Sequence, residues 1–199
     1  MAIGLPELPE LLVPDAATWR RWLHEHHDSA PGVWLVLTKK GGTVTTLTYA
    51  AALDEALCVG WIDGQARRRD EQTSFQRFTP RRAKSAWSRR NVDHVTRLTG
   101  EGRLTPAGHA AVDAAKADGR WAAAYAGPAA NEMPADWAAA LVASPRATAM
   151  WAILTSQNRF AITYRLAQVK TAATRERRIA GFVEMLERGE TVHPQKRTL

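Results

Sequence analysis

Apolar and polar positions along this chain follow two periods, and the balance between them shifts before the midpoint. Behind Asp15, a good N-cap, Ala16–His27 carries Trp19, Trp22 and Leu23 at helical spacing. Pro31-Gly32 then turns the chain into VWLVLTKK, a nearly continuous apolar run that predicts a strand buried on at least one side. Gly41-Gly42 marks a turn, since GGTVTT lacks the spacing of a phosphate-binding loop. Thr48 caps a predicted helix over Tyr49–Val59, with Leu53, Ala56 and Leu57 inward and Gly60 at its end. WIDGQA and TSFQRFTP read as two more strands joined by the charged RRRDEQ. Strand alternation in the second sends Phe75 and Arg77 to one face, Gln76 and Phe78 to the other.

From Ser85 onward the pattern is helix after helix. Ala86–Leu98 has an apolar stripe through Trp87, Val95 and Leu98, and Thr105-Pro106 is a cap-plus-first-turn start for a helix to Asp118. Ala122–Pro134 reads as a loop. Further helices follow over Pro134–Ala143, from Ser144-Pro145 through Leu154, over Phe160–Val169 and over Thr174–Arg188. Pro6, Pro9 and Pro14 make the first fourteen residues an extended arm. The expected fold class is α+β. A small antiparallel sheet with helices occupies residues 1–84, and an all-α module packed on it occupies 85–199, across a gentle composition shift at Ala83–Ser88.

At 199 residues the chain can bury a real core. Its single cysteine, Cys58, excludes an internal disulfide, sits among apolar neighbours as a buried inert thiol, and fits a reducing cytoplasm, the expected location. No apolar run is long enough for a membrane helix, and MAIGLPELPELLVPD lacks the basic start and cleavage pattern of a signal peptide. Charge changes the picture more. The segment Ala66–Arg103 holds ten Arg and one Lys against four carboxylates, a net +7 that equals the formal charge of the whole chain. The positive field therefore has one source, which fits either an anionic partner or a solvated basic face.

Candidate chemistry concentrates in the same stretch. GWIDG places Asp63 beside Trp61 where the backbone turns from helix to strand, and QRFTPRRAKSAW sets arginines among aromatics, a pairing suited to planar anions. The ordinary alternatives are an Asx-type turn at Asp63 and arginines snorkelling along core rings. His24 and His27 share a helix face, but no third ligand lies near and helix-end polarity accounts for them better, so no metal is expected. No cofactor fingerprint, HExxH, GxSxG elbow or paired-carboxylate signature is present, and none is expected. The reading that unites these features is a cleft lined by Trp61, Asp63, Arg77, Phe78, Arg81, Lys84, Trp87 and Asn91, holding a small-molecule or anionic ligand. Two alternatives stand beside it. One is nucleic-acid binding through Arg67–Arg103, although no helix-turn-helix, zinc or RNP pattern supports it. The other is a self-resistance enzyme using Asp63 as acid or base.

EALCVGWIDGQ, SFQRFTPRRAKSAWSRRN, LTPAGHAAVDAAKADGRW and VKTAATRERRIAGFVEMLERGE together resemble the YdeI/OmpD-associated, bacteriocin-protection-like family over about Trp19–Glu190. The closing TRERRI helix is similar to the small helical module named after that family. The resemblance implies a role in tolerating cationic antimicrobial peptides and other stress, with no defined reaction. It also implies family-pattern positions at Trp61, Asp63 and Gly64, at Arg77–Arg81, and at Ser85, Trp87, Ser88 and Asn91.

Overall fold

The computed structural model describes residues 8–125 and 133–199; the start of the predicted arm and most of the predicted loop over Ala122–Pro134 lie outside them. The chain divides into two compact units, Met1–Tyr125 and Ala126–Leu199.

In the first unit the element order is β1 (Glu10–Leu11), α1 (Ala16–His26), β2 (Val33–Thr38), α2 (Tyr49–Cys58), β3 (Trp61–Arg68), β4 (Thr73–Pro80), α3 (Arg89–Gly100) and α4 (Pro106–Ala117). The four strands lie in the order β1-β2-β4-β3. β2, β4 and β3 pair antiparallel, and β1 adds a short parallel edge to β2. That edge is the part of the arm not anticipated as a strand. Pro9 lacks an amide hydrogen but its carbonyl accepts from the Trp34 amide at 2.9 Å, so a proline-bearing segment can still close a sheet edge.

Local chemistry sets the helix starts. The Asp15 carboxylate accepts from the Thr18 amide, and the hydroxyls of Thr48, Ser88 and Thr105 cap α2, α3 and α4 in the same way. α3 consequently starts at Arg89, later than the apolar stripe alone implied, because Ser88 offers the cap. α2 ends at Cys58 with Val59 as its cap, and Gly60 takes φ +76° to swing the chain directly into β3.

The helices bury one face of the sheet. Val33, Leu35 and Leu37 of β2, Phe78 of β4 and Trp61 of β3 join Trp19 and Leu23 of α1, the apolar face of α2, and Val95, Leu98, Val112 and Ala115 of α3 and α4 in one core. Because α3 and α4 supply that core, the units divide between Tyr125 and Ala126 and not at the composition shift near residue 84. Trp19 is fully buried and donates its indole N–H to the Ala52 carbonyl at 3.1 Å, while the Trp61 indole donates to the His27 carbonyl at 2.9 Å. Both rings so satisfy the one polar atom that burial would otherwise strand.

The second unit comprises α5 (Ala135–Val142), α6 (Pro145–Ile153), α7 (Ser156–Ala167) and α8 (Ala172–Glu187) among its described residues. Trp137, Met150, Trp151, Ile162, Leu166 and Leu186 form its core. Asn158 fixes the closing segment, donating to the His193 carbonyl at 3.0 Å and accepting from the His193 amide at 2.8 Å. The α+β class is as the periodicity predicted; the first unit holds the sheet with α1 to α4, and the second is helical among its described residues.

Candidate functional site

Strand register decides which of the predicted site residues can meet. Asp63 pairs with Phe78, and Arg77 pairs with Trp34. Successive side chains on a strand leave opposite faces, so Asp63 projects to the helix-covered face and Arg77 to the open one. Between Asp63 and Ala66 the pairing shifts by a residue, and the bulge sets Gly64 and Gln65 against Arg77. No hydrogen bond or ion pair joins Asp63 to Arg77 among the described residues.

The predicted set accordingly separates into groups. Trp61 and Phe78 are core residues, 1% and 0% exposed. Lys84 is exposed in the connection after β4. Asn91 is buried in the first turn of α3, its amide donating to the Ser88 hydroxyl. Arg77 lies on the open face with its Nε shielded and without a hydrogen-bond partner among the described residues. What remains is Arg81 stacked on Trp87, with the Asp63 carboxylate near enough for its charge to act on Arg81.

Around these three the fold adds Tyr49, which the sequence reading did not single out. Its phenol donates to Asp63 Oδ2 at 2.7 Å. Burial first, then the bond to Asp63, raises the Tyr49 phenol above its ordinary value, so it stays a donor. Tyr49 opens α2 and Asp63 sits early in β3, so the tight turn at Gly60 is what brings them together. The Arg90 guanidinium stands 5.6 Å from the Tyr49 ring centre.

Arg81 is the unusual member. Its guanidinium stacks on the Trp87 ring at 3.7 Å and donates from Nη1 to the Ala86 carbonyl at 3.1 Å. Burial pulls its pKa down to about 10, against the favourable charges of Tyr125 and Asp63, and nearby Arg120 pulls the same way as burial. Nε and Nη2 of Arg81 are shielded from solvent and meet no acceptor among the described residues, and the Trp87 indole nitrogen is in the same condition. Nε and Nη2 form the side-on edge of a guanidinium, the fork that takes both oxygens of a carboxylate. Arg20 uses it on Glu55 at 2.8 and 2.6 Å, and Arg188 uses it on Glu190 at 2.9 and 3.0 Å. In Arg81 that edge meets no acceptor among the described residues. A shielded donor without an acceptor costs roughly 1–3 kcal/mol, so the cluster is built at a deficit.

A second polar cluster lies away from the predicted site. Glu55, with a side chain 5% exposed, is gripped by Arg20 and by Arg103 at 2.8 Å, at the floor of a hollow of about 460 Å³ that also meets His24 and Cys58. Burial raises the Cys58 thiol to about 11, with Arg103 opposing. His26 and His27 place their Nδ1 atoms 2.8 and 3.1 Å from the carbonyls of Trp22 and Leu23, at the end of α1. Among the described residues no group of three or more His, Cys, Asp or Glu side chains is placed to hold a metal, and no helix is long and apolar enough to cross a membrane.

Fold and cluster together define a one-sided α+β sheet domain followed by a four-helix module. Residues 11–111 match the family described as a domain of unknown function, DUF8412, and with just over half of the chain matched the protein belongs to that family. Residues 130–189 match the family described as bacteriocin-protection, YdeI or OmpD-associated, which includes α5 to α8, while GWIDG and QRFTPR fall within the first match. No curated protein and no solved structure shows a significant match to the chain.

Proposed function

We propose that this protein is a binding module for a small ligand carrying a carboxylate or phosphate group, held by the Arg81 fork beside Trp87, with Asp63 and Tyr49 forming the polar wall. The observation that carries the reading is the empty side-on edge of Arg81, closed to water and unanswered by any acceptor among the described residues. An anionic group there would take two charge-assisted hydrogen bonds, and the Trp87 N–H would supply a third donor. The stretch Arg81–Ser88 contains neither helix nor strand and must open to admit the guest. Asp63 already accepts from the Tyr49 phenol, which suits it to orienting a hydroxyl or amine of the ligand more than to abstracting a proton. The stress and antimicrobial-tolerance setting implied by the family resemblance is where such a ligand belongs.

Thermal unfolding with acetate, benzoate, inorganic phosphate and a phosphomonoester tests this. A guest at a hundred times its Kd stabilises the fold by about 2.7 kcal/mol. Arg81→Lys keeps the charge but has no fork, and should abolish that stabilisation; Trp87→Phe keeps the ring and removes the N–H, and should weaken it. If no probe stabilises the wild type, or the stabilising probe acts equally on Arg81→Lys, the assignment is rejected.

A further inference from the structure

The face of the sheet turned away from the helices carries a different chemistry. We propose that this open face, through Trp34, Phe75, Arg67 and Arg77, binds single-stranded nucleic acid.

The register places Trp34 opposite Arg77, Val36 opposite Phe75, and Phe75 opposite Arg67, so all of these side chains leave the same face. They stand apart from the core that the helices build: Val36 and Phe75 are buried on this face, 1% and 5% exposed, while Trp34 and Arg77 are half-buried and Arg67 is exposed. The Arg67 guanidinium lies 4.1 Å from the Trp34 ring centre and 4.8 Å from that of Phe75, and Arg69 lies 5.6 Å from Phe75. This makes a platform of rings capped by a planar cation. A base stacks on such a plane, or takes the place of the guanidinium over the ring as it swings to a phosphate.

Charge points the same way. Arg69 is answered by Glu10 at 3.5 Å and Asp70 at 2.7 Å, and Arg68 is paired with Glu71. Arg67 and Arg77 make no ion pair among the described residues. Two arginines without an ion pair beside the half-buried Trp34 offer phosphate contacts and stacking surface together, with Phe75 buried beneath Arg67 as the support of that platform. Arg77 runs alongside Gly64 in the bulge, where a Cβ would meet its Cβ and Cδ at 3.5 Å, an ordinary packing distance. A flat sheet face has no helix to enter a duplex groove, and bases reach a stacking platform only when unpaired. The open-face set is distinct from Arg81, Arg89 and Arg90, so the two proposals stand or fall separately.

Fluorescence anisotropy of labelled oligothymidine and oligouridine, against a duplex of equal length, tests the proposal on the full chain. Single strands should bind more tightly than duplex, with affinity falling linearly in log salt. Arg67→Gln and Arg77→Gln should each weaken binding severalfold and lower the salt slope by about one. Trp34→Leu should weaken binding about tenfold and leave the slope unchanged, because it removes stacking and no phosphate contact. Phe75→Leu reads the same platform if the Trp34 variant does not fold. Arg21→Gln, on an exposed side of α1, should bind as the wild type does. The proposal is overturned by absence of binding at low salt, by duplex bound as tightly as single strand, or by equal losses in Arg21→Gln. Displacement of the oligonucleotide by polyglutamate as readily as by unlabelled oligothymidine overturns it too, in favour of an acidic protein partner.

Discussion

Asp63 and Arg77 lie on neighbouring strands, yet their side chains leave the sheet on opposite faces, Asp63 with Phe78 and Arg77 with Trp34. The energetic consequence is measurable. In a double-mutant cycle by urea denaturation, Asp63→Ala and Arg77→Ala should be additive within about 0.5 kcal/mol. The Tyr49→Phe and Asp63→Asn pair should instead couple by about 1 kcal/mol, because they share the 2.7 Å hydrogen bond. Strong coupling in the first cycle would refute the separation of faces.

The same bond sets an alkaline limit. The Tyr49 phenol is raised in the folded state, by burial and then by Asp63, above the 10.0 of a free phenol. A raised folded value means the unfolded chain loses its proton first. The contribution is therefore complete below pH about 10 and fades as pH climbs from there towards the folded value. Tyrosinate absorbance followed against pH should show one of the chain's three tyrosines titrating late, and only together with unfolding. Tyr49→Phe should remove the late step and flatten the alkaline decline.

How much of this was readable beforehand differs between elements. Caps and periodicity announced the described helices and the three long strands, because Asp15, Thr48 and Thr105 act on amides within their own first turn, although α7 starts at Ser156 behind a Thr155 cap, a turn before the predicted Phe160. The alternation of TSFQRFTP already separated Arg77 from Phe78, so a cleft containing both conflicted with the strand that held them. The Tyr49–Asp63 bond was out of reach, since it depends on how sharply Gly60 folds β3 back along α2. The Arg67–Trp34 stack was hidden for a similar reason: the bulge resets the facing of β3, and Gly64, which marks where the register slips, reads equally well as part of the turn at GWIDG. Local signals survive in sequence, whereas pairings between distant elements require the register that only the fold supplies.

Glu55 should be the most sensitive carboxylate in the first unit. It is buried and answered by two arginines, one of which, Arg20, is itself half exposed at 51%. Glu55→Ala removes the buried carboxylate that both arginines share; with Arg20 half exposed and Arg103 still paired with Glu101 at 3.2 Å, the loss should be about 2 kcal/mol. Arg20→Ala leaves Arg103 still holding the carboxylate, and should cost about 1 kcal/mol. Chemical denaturation of the two variants checks the order, and a larger loss for Arg20→Ala would contradict it.

The β3–β4 hairpin should loosen in acid. Asp70 accepts from the Thr73 hydroxyl, from the amides of Gln72 and Thr73, and from Arg69, and these bonds, led by the Thr73 hydroxyl, bring its pKa to about 2. A depressed folded value means the contribution is whole above the unfolded 3.8 and is lost as pH falls from there to about 2. The protection of the Gln72 and Thr73 amides, their exchange rate relative to the intrinsic rate at each pH, should fall over that window, and Asp70→Asn should show the lower protection already at neutral pH. Protection unchanged between neutral pH and the acid limit would count against the turn's dependence on that charge.

Cys58 offers a probe of the contact between α2 and α4. The thiol is 4% exposed and its pKa is pushed up to about 11 by burial, so both access and thiolate are scarce at neutral pH. The Cys58 carbonyl accepts from the Thr105 amide and hydroxyl at 2.9 and 3.0 Å, and a Cβ on Gly108 would stand 2.2 Å from that same oxygen. Backbone cannot yield to such an overlap as a flexible side chain would, so Gly108→Ala must lift the first turn of α4 off the end of α2. We expect a loss of about 2–3 kcal/mol, the range of an overpacked core. Labelling of Cys58 by a thiol reagent at neutral pH should be slow in the wild type and limited by opening of the fold. In Gly108→Ala it should quicken in proportion to the lost stability, since each 1.4 kcal/mol raises the open population about tenfold. Rapid labelling of the wild type, or an unchanged rate in the variant, would mean that Gly108 does not hold this contact closed.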